Sequence, residues 1–516
     1  MSINANFVNN VVIVGGGTAG WMTAAALSHK FGNTGTQITL VESAEIGTVG
    51  VGEATLPHIR FFNAAMGIDE TDLMARTQAT FKLGIEFCGW GKEGESYIHP
   101  FGDYGEPHNG IAFHHLWTQQ RLAGNAKRIC EYSLPVMMAE ANRYAMPDAD
   151  PNALLSTFGY AYQFDASLYA AHLSQLSQKR GVKRVEGKIT HAKRSADTGR
   201  ISAVVLENGA QVEGDLFVDC SGFRGLLIEQ ELKTGYEDWS HYLPCNRALA
   251  VPCEPSGPIG PYTRATARKA GWQWRIPLQH RIGNGHVYCS DYISDDEAAA
   301  ILIDNLEGPA IAEPRPLFFK TGRRNKLWNG NVVSIGLSGG FLEPLESTSI
   351  HLIQQGITAL VELFPTQDSM EEDAAEYNAM MRLEFDRVRD FLVLHYVANQ
   401  REGEKFWDDM RRMEWPASLK EKVAAFVHSG IIPSYDVGAF LPPSWLAVFV
   451  GQNIVPQAYD PRLDHLDSAA IASSMEERRR QIADAVNTLP VHMDFVRGHC
   501  PGAMVAEMVA EKIPSL

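Results

Sequence analysis

The first residues whose types and spacing indicate chemistry form a glycine-rich turn, GGGTAG, at residues 15–20. The turn has the G-x-G-x-x-G spacing, follows an apolar strand pattern and opens a helix of small residues. Backbone N–H groups there, with the positive end of the helix, can hold a pyrophosphate. An acidic residue at the end of the next strand can accept ribose hydroxyls. The candidates for this dinucleotide site are Gly15, Gly17, Thr18, Ala19, Gly20 and Glu42.

Three further stretches favour FAD over a nicotinamide as the dinucleotide. They are GVGEAT at 50–55, DCSGFR at 219–224 and SIG at 334–336. Small residues at strand ends allow a flat ring and a long diphosphate to lie against the backbone. The cofactor-binding candidates from these stretches are Gly52, Glu53, Ala54, Thr55 and Gly336.

A lysine and a glutamate could carry further chemistry. In FKLGIEF at 81–87, apolar residues alternate with Lys82, Gly84 and Glu86, so a strand would place Lys82 opposite the apolar face. The pattern alone favours a solvated lysine on an exposed sheet face. Glu346 precedes an apolar helix pattern, which alone makes it a carboxylate at a helix start.

The elements that must position these residues follow an α/β pattern. A strand at 11–14, a helix of small residues and a strand at 37–42 form a βαβ unit that opens a parallel sheet. Several β segments are predicted between 182 and 218, including one arm of a hairpin at 201–206.

The pattern becomes helical after residue 364, at 370–400 and 473–493, and the proline-rich segment 429–461 is predicted to be a loop-rich cover. We therefore predict an α/β fold with a Rossmann-like FAD-binding core of the glutathione reductase type, similar to flavin monooxygenases, with an added β-sheet. This core, with interleaved substrate elements, spans 1–365. A mainly helical part at 366–516 covers the substrate site.

Composition excludes several classes of function. The 516 residues include 45 Lys and Arg against 61 Asp and Glu, a net charge of −16 that repels nucleic acids and anionic membranes. No run approaches the roughly 18 apolar residues of a membrane span. Residues 1–7 show no export signal, so the cytoplasm is the expected location. Seven cysteines without a C-x-x-C pair predict packing residues and no metal site.

With these motifs in place, the chain resembles the flavin-dependent halogenases of the tryptophan halogenase family. The resemblance covers most of the chain and rests on GGGTAGW at 15–21, GVGEAT at 50–55, GWQWRIP at 271–277 and FLEPLEST at 341–348. Its most specific part is the W-x-W-x-I-P pattern that includes Trp272 and Trp274. By alternation alone, these two residues predict a strand face packed on a core.

The resemblance implies an oxidoreductase that uses reduced FAD, O2 and bromide or chloride. In this family, reduced FAD and O2 give a flavin hydroperoxide, halide attacks its distal oxygen, and the hypohalous acid travels to a separate aromatic substrate. Because the chain has one dinucleotide fingerprint, the reduced flavin is expected from a separate NAD(P)H-dependent flavin reductase. Family members are often dimers, so a homodimer is expected by analogy.

The resemblance also implies roles for single residues. Lys82 matches the essential lysine, which acts either as an ammonium that polarises hypohalous acid or as an amine that forms an N-halamine. Glu346 matches the carboxylate that stabilises the cationic ring intermediate and helps remove its proton. Thr348 and Ser349 match the residues whose N–H groups lie near the halide. Ser347 is the predicted link between the flavin and substrate regions.

The substrate contacts follow from the same resemblance. His99 and Phe101 match a His-x-Phe-Gly segment whose aromatic residues flank the substrate ring, and Trp445 is a candidate for the other face. Halogenases of free tryptophan hold its charged head group with a Tyr-Tyr pair and a Glu, whereas residues 435–445 contain one tyrosine. Each lost charge-assisted hydrogen bond is worth about 1.5 to 3 kcal/mol. We therefore expect indole or a simple derivative as substrate, with bromination at least as easy to detect as chlorination.

Two alternatives use the same cofactor. An FAD-dependent aromatic hydroxylase would need no halide, but GLSGG at 336–340 replaces the G-D-A-A-H-like segment expected after Ser334-Ile335. A non-catalytic flavin-binding protein would keep the scaffold alone.

Overall fold

The computed structural model describes residues 8–44, 52–366, 368–435 and 437–500, and the structural statements below concern these residues. Three parts of the sequence interpretation lie outside them: residues 1–7, the first two residues of the GVGEAT stretch, and residue 436 in the segment 435–445.

The described residues form strands and helices that alternate through the first two thirds of the chain. The strands are β1 (Asn10–Val14), β2 (Gln37–Glu42), β3 (Gly52–Ala54), β4 (Thr80–Lys82), β5 (Gly84–Cys88), β6 (Ser96–Pro100), β7 (Ala161–Asp165), β8 (Lys183–Glu186), β9 (Ile189–Arg194), β10 (Ile201–Leu206), β11 (Gln211–Glu213), β12 (Leu216–Asp219), β13 (Tyr236–Asp238), β14 (Arg247–Cys253), β15 (Tyr262–Arg268), β16 (Gly271–Pro277), β17 (Ile282–Tyr288), β18 (Arg315–Phe318), β19 (Gly322–Arg324), β20 (Trp328–Asn329), β21 (Val332–Ser334) and β22 (Gly340–Phe341). The α-helices are α1 (Thr18–Phe31), α2 (His58–Ala65), α3 (Glu70–Thr77), α4 (Phe113–Leu122), α5 (Leu134–Glu140), α6 (Ala166–Lys179), α7 (Asp295–Asp304), α8 (Thr348–Glu362), α9 (Met370–Val397), α10 (Lys405–Arg412), α11 (Ala417–Ser429), α12 (Pro442–Gly451), α13 (Ser468–Thr488) and α14 (His492–His499).

A six-stranded sheet in the order β20-β21-β12-β1-β2-β8 forms the first layer. Its pairs are parallel except β20 with β21. The predicted βαβ unit is therefore confirmed, with α1 as its helix, and β10 and β11 form the predicted hairpin. Because parallel strands end at one edge, the carboxyl ends of β1, β2 and β12 lie side by side.

A seven-stranded sheet, β18-β14-β17-β16-β15-β5-β6, forms the second layer, and every residue of β16 and β17 is buried. The alternating segment 81–87 does not form the single exposed strand that its pattern favours. It divides at Leu83 into β4, which joins the small sheet β3-β7-β4, and β5, which joins the seven-stranded sheet. As a result β4 is buried on both faces, and Lys82 with it.

Gly84 explains how β5 and β6 approach each other. The two strands are antiparallel, with Gly84 opposite Pro100 and Ile85 opposite His99. A Cβ at position 84 would lie 2.4 Å from the backbone oxygen of His99, so this close approach requires glycine. The pairing fixes His99 close to the strand that carries Lys82.

The C-terminal part is helical, as predicted, with two differences in detail. The helix predicted at 473–493 is two helices, α13 and α14, because Pro490 lacks an N–H group and keeps Leu489 extended. The proline-rich cover contains α12, which starts at Pro442 because proline fits the first helical turn. One apolar core includes residues of both predicted domains, and the boundary at 365/366 stays a prediction. Within the described ranges, every helix is too short or too polar to cross a bilayer.

Candidate active site

A cavity of about 520 Å³ opens at the shared edge formed by the carboxyl ends of β1, β2 and β12. Apolar side chains of the second sheet, including Ile276 and Val287, form part of its wall. The predicted cofactor-binding residues that line it are Gly15, Gly17, Thr18, Ala19, Glu42, Gly52, Glu53 and Ala54. Arg184 and Arg264 also line it and were not predicted, because single arginines in the sequence carry no spacing signal.

The glycine turn has the shape that a diphosphate needs. A Cβ at Gly16 would lie 1.4 Å from Oε2 of Glu42, and one at Gly15, whose φ is +109°, would lie 2.4 Å from the oxygen of Cys220. At Gly17 no atom of the described residues lies within 4 Å of a Cβ position, and this residue caps α1 without a side-chain hydrogen bond to any of them. The first N–H groups of α1 therefore face open space, as expected for a phosphate cradle. The turn and Glu42 fit FAD.

Glu53 is an acidic residue in the same cavity. Burial raises the pKa of its carboxyl from 4.5 to about 7. A carboxyl group of that kind carries less than a full negative charge at neutral pH.

Three predicted cofactor residues do not line the large cavity. Gly20 supports the turn, since a Cβ there would lie 1.9 Å from the oxygen of Gly15. The backbone oxygen of Thr55 accepts a hydrogen bond from Lys82. Gly336, with φ +79°, packs against Ala19 and lines a separate cavity of about 40 Å³.

Trp272 and Trp274 lie on β16 and line the large cavity. The indole N–H of Trp272 donates to Oε2 of Glu343 at 2.8 Å, and the hydroxyl of Tyr396 donates to the same oxygen at 2.5 Å. Glu343 is fully buried, and burial raises its pKa to about 7. This carboxyl therefore connects β16, in the cavity wall, to α9 through the hydrogen bonds of Trp272 and Tyr396.

Lys82 lies behind the large cavity and is fully buried. Its Nζ donates to the backbone oxygen of Thr55 at 3.0 Å and to Oγ of Ser347 at 2.8 Å, and it lies 5.1 Å from the ring centre of Phe101. Burial lowers the pKa of Lys82 from 10.5 to about 7, although the nearby Glu346 charge acts to raise it. The amine is therefore available in both protonation states near neutral pH.

Ser347 lies between the lysine and the large cavity. It lines that cavity, and its backbone is left-handed (φ 59°, ψ 34°) where it precedes α8. No side chain of the described ranges caps this helix, so the first N–H groups of α8 lack acceptors there. Ser349 lines the cavity as well, and Oγ1 of Thr348 is buried without a hydrogen-bond partner among the described residues. The start of α8 can therefore hold a small anion.

Glu346 is fully buried between two histidines. Nδ1 of His99 lies 2.8 Å from its Oε2, and Nε2 of His395 lies 2.8 Å from its Oε1. Burial acts to raise the pKa of Glu346, but the charges and hydrogen bonds of the two histidines outweigh it and lower the pKa to about 2. Glu346 is thus a carboxylate at any working pH.

Aromatic side chains surround His99. Its ring centre lies 6.3 Å from Phe101, 5.7 Å from Phe391 and 6.2 Å from Phe440. Phe440 stacks on Phe391 at 3.8 Å, and Trp445 meets Phe391 edge-on at 5.0 Å. The structure thus brings the three predicted substrate residues, His99, Phe101 and Trp445, into one aromatic cluster.

Sequence reasoning missed three residues of this site, Phe391, His395 and Phe440. The available signal was a histidine inside the apolar run FLVLHY at 391–396, four residues after Phe391, which places both on one helix face.

The chain is similar to known proteins over almost its whole length. The family model described as Tryptophan halogenase matches residues 10–468. Tryptophan 6-halogenase SttH of Streptomyces toxytricini is 37% identical, and the alignment covers 96% of this chain and 98% of that relative.

Solved structures are also similar to this chain over almost its whole length. BrvH, a flavin-dependent halogenase from Brevundimonas sp. BAL3, matches with a TM-score of 0.93 at 46% identity, over 96% of this chain and 100% of its own. Xcc4156, a flavin-dependent halogenase from Xanthomonas campestris, matches with a TM-score of 0.92 at 46% identity, over 96% and 99%. These likenesses confirm the predicted FAD-binding, Rossmann-like fold class.

Proposed function

Because the chain belongs to the tryptophan halogenase family and is a flavin-dependent halogenase, we propose that it brominates or chlorinates indole or a simple indole derivative, with Lys82 and Glu346 as catalytic residues. When bound, reduced FAD supplies the electrons that activate O2 for oxidation of the halide. The reduced flavin comes from a separate NAD(P)H-dependent reductase. The observation that carries the proposal is the hydrogen bond from buried Lys82 to Ser347, which joins the lysine to the large cavity.

The large cavity holds FAD in this proposal. The N–H groups of the glycine turn bind the diphosphate, and Glu42 accepts the ribose hydroxyls, with Arg184 paired to its carboxylate. Trp272 and Trp274 give the cavity a rigid apolar wall on β16, which excludes water from the flavin ring.

The start of α8 holds the halide. Thr348 and Ser349 supply N–H groups at the positive end of this helix, and the first turn of α8 contains no acidic residue that would repel an anion. Ser349 faces the large cavity, so a halide here lies where the oxidant forms. Bromide and chloride are both spherical anions that N–H donors can bind, so both are substrates.

Lys82 passes the oxidised halogen to the aromatic ring. The hypohalous acid reaches the lysine beside Ser347, where Nζ either donates a hydrogen bond to it or forms an N-halamine; a pKa near 7 makes both forms accessible. Phe101 lies against Nζ, so a ring held beside Phe101 meets the electrophile there. This placement is what would select one carbon of the ring.

Glu346 supplies the negative charge that the cationic ring intermediate needs. Its carboxylate is fully buried, and charge stabilisation is strongest where water is excluded. The same carboxylate serves the removal of the ring proton, because it keeps a negative charge at working pH.

The aromatic cluster supports a substrate without a charged head group. Phe391, Phe440 and Trp445 offer ring faces and edges to a planar substrate. Tyr435, the one tyrosine of residues 435–445, lies with its ring 4.0 Å from the Arg387 guanidinium carbon. Its ring face is therefore already in contact with a cation of the protein.

The test combines the purified protein with FAD, a flavin reductase, NADH, O2 and indole, with bromide or chloride, and analyses products by mass spectrometry. We expect bromoindole and chloroindole, and at least tenfold lower kcat/KM with free tryptophan, the scale of one lost charge-assisted hydrogen bond. Hydroxylated indole without halogen, or efficient saturable turnover of free tryptophan, would contradict the proposal.

A further inference from the structure

We propose that the ring proton is taken by Nε2 of His99, and that in this proton transfer Glu346 and His395 position the imidazole from behind, while Glu346 keeps its role of stabilising the cationic ring. The three side chains form a chain of contacts, His395–Glu346–His99, and all are essentially fully buried. This inference rests on the proposed function and refines it, because it replaces direct proton transfer to Glu346 with transfer to the histidine that Glu346 holds.

Each oxygen of the Glu346 carboxylate lies against an imidazole nitrogen. Oε2 lies 2.8 Å from Nδ1 of His99 and Oε1 lies 2.8 Å from Nε2 of His395. The two histidines lower the pKa of Glu346 to about 2 against the effect of burial, so this carboxylate is a weak acceptor for the ring proton.

His395 lies on the other side of Glu346. Its Nδ1 lies 2.8 Å from the backbone oxygen of Phe391, and a carbonyl oxygen only accepts, so Nδ1 carries a hydrogen. Its Nε2 lies 2.8 Å from Oε1 of Glu346. The ring of His395 packs on Phe87 at 4.8 Å, which fixes its position beside the carboxylate.

His99 is oriented by the same carboxylate. Its Nδ1 lies 2.8 Å from Oε2 of Glu346 and donates to it, so Nε2 is the nitrogen that faces away from Glu346 and can accept a proton. Nε2 is buried and has no hydrogen-bond partner among the described residues. The ring lies among Phe101, Phe391 and Phe440, the aromatic cluster in which the substrate ring is proposed to lie. A carboxylate behind an imidazole is a general-base arrangement that orients the ring and stabilises its protonated form.

The other ionisable groups coupled to Glu346 are poor proton acceptors. Burial raises the pKa of Tyr97 far above its usual value, so its hydroxyl stays protonated, and it interacts with Gln452. Lys82 already donates to Thr55 and Ser347 and handles the halogen. Of these neighbours of Glu346, His99 is therefore the one with an acceptor nitrogen, Nε2, that has no partner among the described residues.

Halogenation of the ring by hypohalous acid conserves atoms and charge. The carbon–halogen bond forms as the O–X bond of hypohalous acid breaks, and the leaving hydroxide takes a proton from the Lys82 ammonium to become water. The ring carbon then gives its proton to Nε2 of His99, and the C–H electron pair restores the aromatic ring. The imidazolium returns this proton to the Lys82 amine through water, so ArH and HOX give ArX and water.

The test uses the full chain with FAD, reductase, bromide and indole, and compares wild type with His99→Phe, which keeps an aromatic wall but has no base. We expect kcat to fall about 100-fold or more, the scale of general-base catalysis, with KM changed less than about threefold. We also expect a primary isotope effect with ring-deuterated indole to rise from about 1 to above about 2, because proton loss becomes rate-limiting. If His99 served only as an aromatic wall and not as a base, His99→Phe would show no isotope effect.

A second pair of variants covers the case in which His99→Phe does not fold or bind FAD. His99→Gln keeps a polar group of similar reach and is expected to show the same isotope effect. His395 helps to lower the pKa of Glu346, so in His395→Gln that pKa should rise and the acid limb of the kcat profile should move to higher pH. The groups facing Glu346 in that profile are Lys82, Tyr97 and His99.

The outcomes separate this inference from the proposed function. A wild type that forms no halogenated indole overturns the proposed function. A wild type that brominates indole, with position-99 variants that keep kcat within about threefold and show no isotope effect, overturns the inference alone.

Discussion

Nζ of Lys82 and Oγ of Ser347 lie 2.8 Å apart, and Ser347 at the same time lines the large cavity. A buried amine and the proposed flavin site are therefore joined through one hydroxyl group. The position of that hydroxyl depends on the left-handed backbone of Ser347, which turns the chain from the short turn Pro344–Glu346 into α8.

The first prediction concerns this hydroxyl. Ser347→Ala and Ser347→Gly both remove an acceptor of Lys82, and we expect bromination of indole to fall about 10- to 100-fold in both, the scale of one hydrogen bond to a charged group. Glycine adopts φ 59° without strain, so Ser347→Gly separates the hydroxyl from backbone effects. FAD affinity, measured by fluorescence titration, should stay within about threefold. A normal rate in Ser347→Gly would show that the hydroxyl has no role.

The second prediction concerns the glycine turn. Gly17→Ala adds a Cβ that meets no atom of the described part of the chain within 4 Å, at a φ of −76° that alanine accepts, so the fold should keep its Tm. The same methyl would stand in the proposed phosphate cradle, so we expect FAD to bind about tenfold or more weakly.

Gly498→Ala is the matched control for the glycine turn, since nothing between residues 8 and 500 that the structure describes lies within 4 Å of its Cβ position in α14. Calorimetric FAD titration of both variants gives the comparison. Unchanged FAD affinity in Gly17→Ala would place the diphosphate elsewhere.

The third prediction concerns Glu343. Its folded pKa of about 7 lies above its unfolded value of about 4.5, so the folded protein binds more protons between these pH values. The contribution of Glu343 to stability is therefore complete below pH 4.5 and is lost as the pH rises through 7. Glu343→Gln stays neutral and can still accept from Trp272 and Tyr396.

The measurement is urea unfolding of the apoprotein at pH 5, 6, 7 and 8. We expect wild type to lose up to about 3 kcal/mol in free energy of unfolding relative to Glu343→Gln across this range. The exposed Glu254→Gln should follow wild type. If the free energies of unfolding of wild type and Glu343→Gln changed in parallel from pH 5 to 8, the buried carboxyl would be ionised over this whole range.

Much of the fold could be predicted from local patterns. The strand, glycine turn and helix at 10–31 have their own periodicity and turn chemistry, and the structure follows them. The burial of Lys82 could not be predicted, because it depends on the division of one alternating segment between two sheets at Leu83. Pro490, by contrast, is a local signal that should have divided the predicted C-terminal helix.

The site was only partly predictable for the same reason. The motifs located Lys82, Ser347 and Glu346, but the contacts of Glu346 with His99 and His395 join residues 247 and 49 positions away in the chain. No single-sequence pattern reports a contact of that range. The homodimer and the cytoplasmic location stay predictions.

The most direct test of the account is the product spectrum of Lys82→Met, which keeps the volume of the side chain and removes the amine. We predict at least about 100-fold less bromoindole, with FAD affinity within about threefold of wild type and hypobromous acid released to a soluble trap. The exposed Lys92→Met should match wild type. Bromination by Lys82→Met at the wild-type rate and ring position would contradict the account.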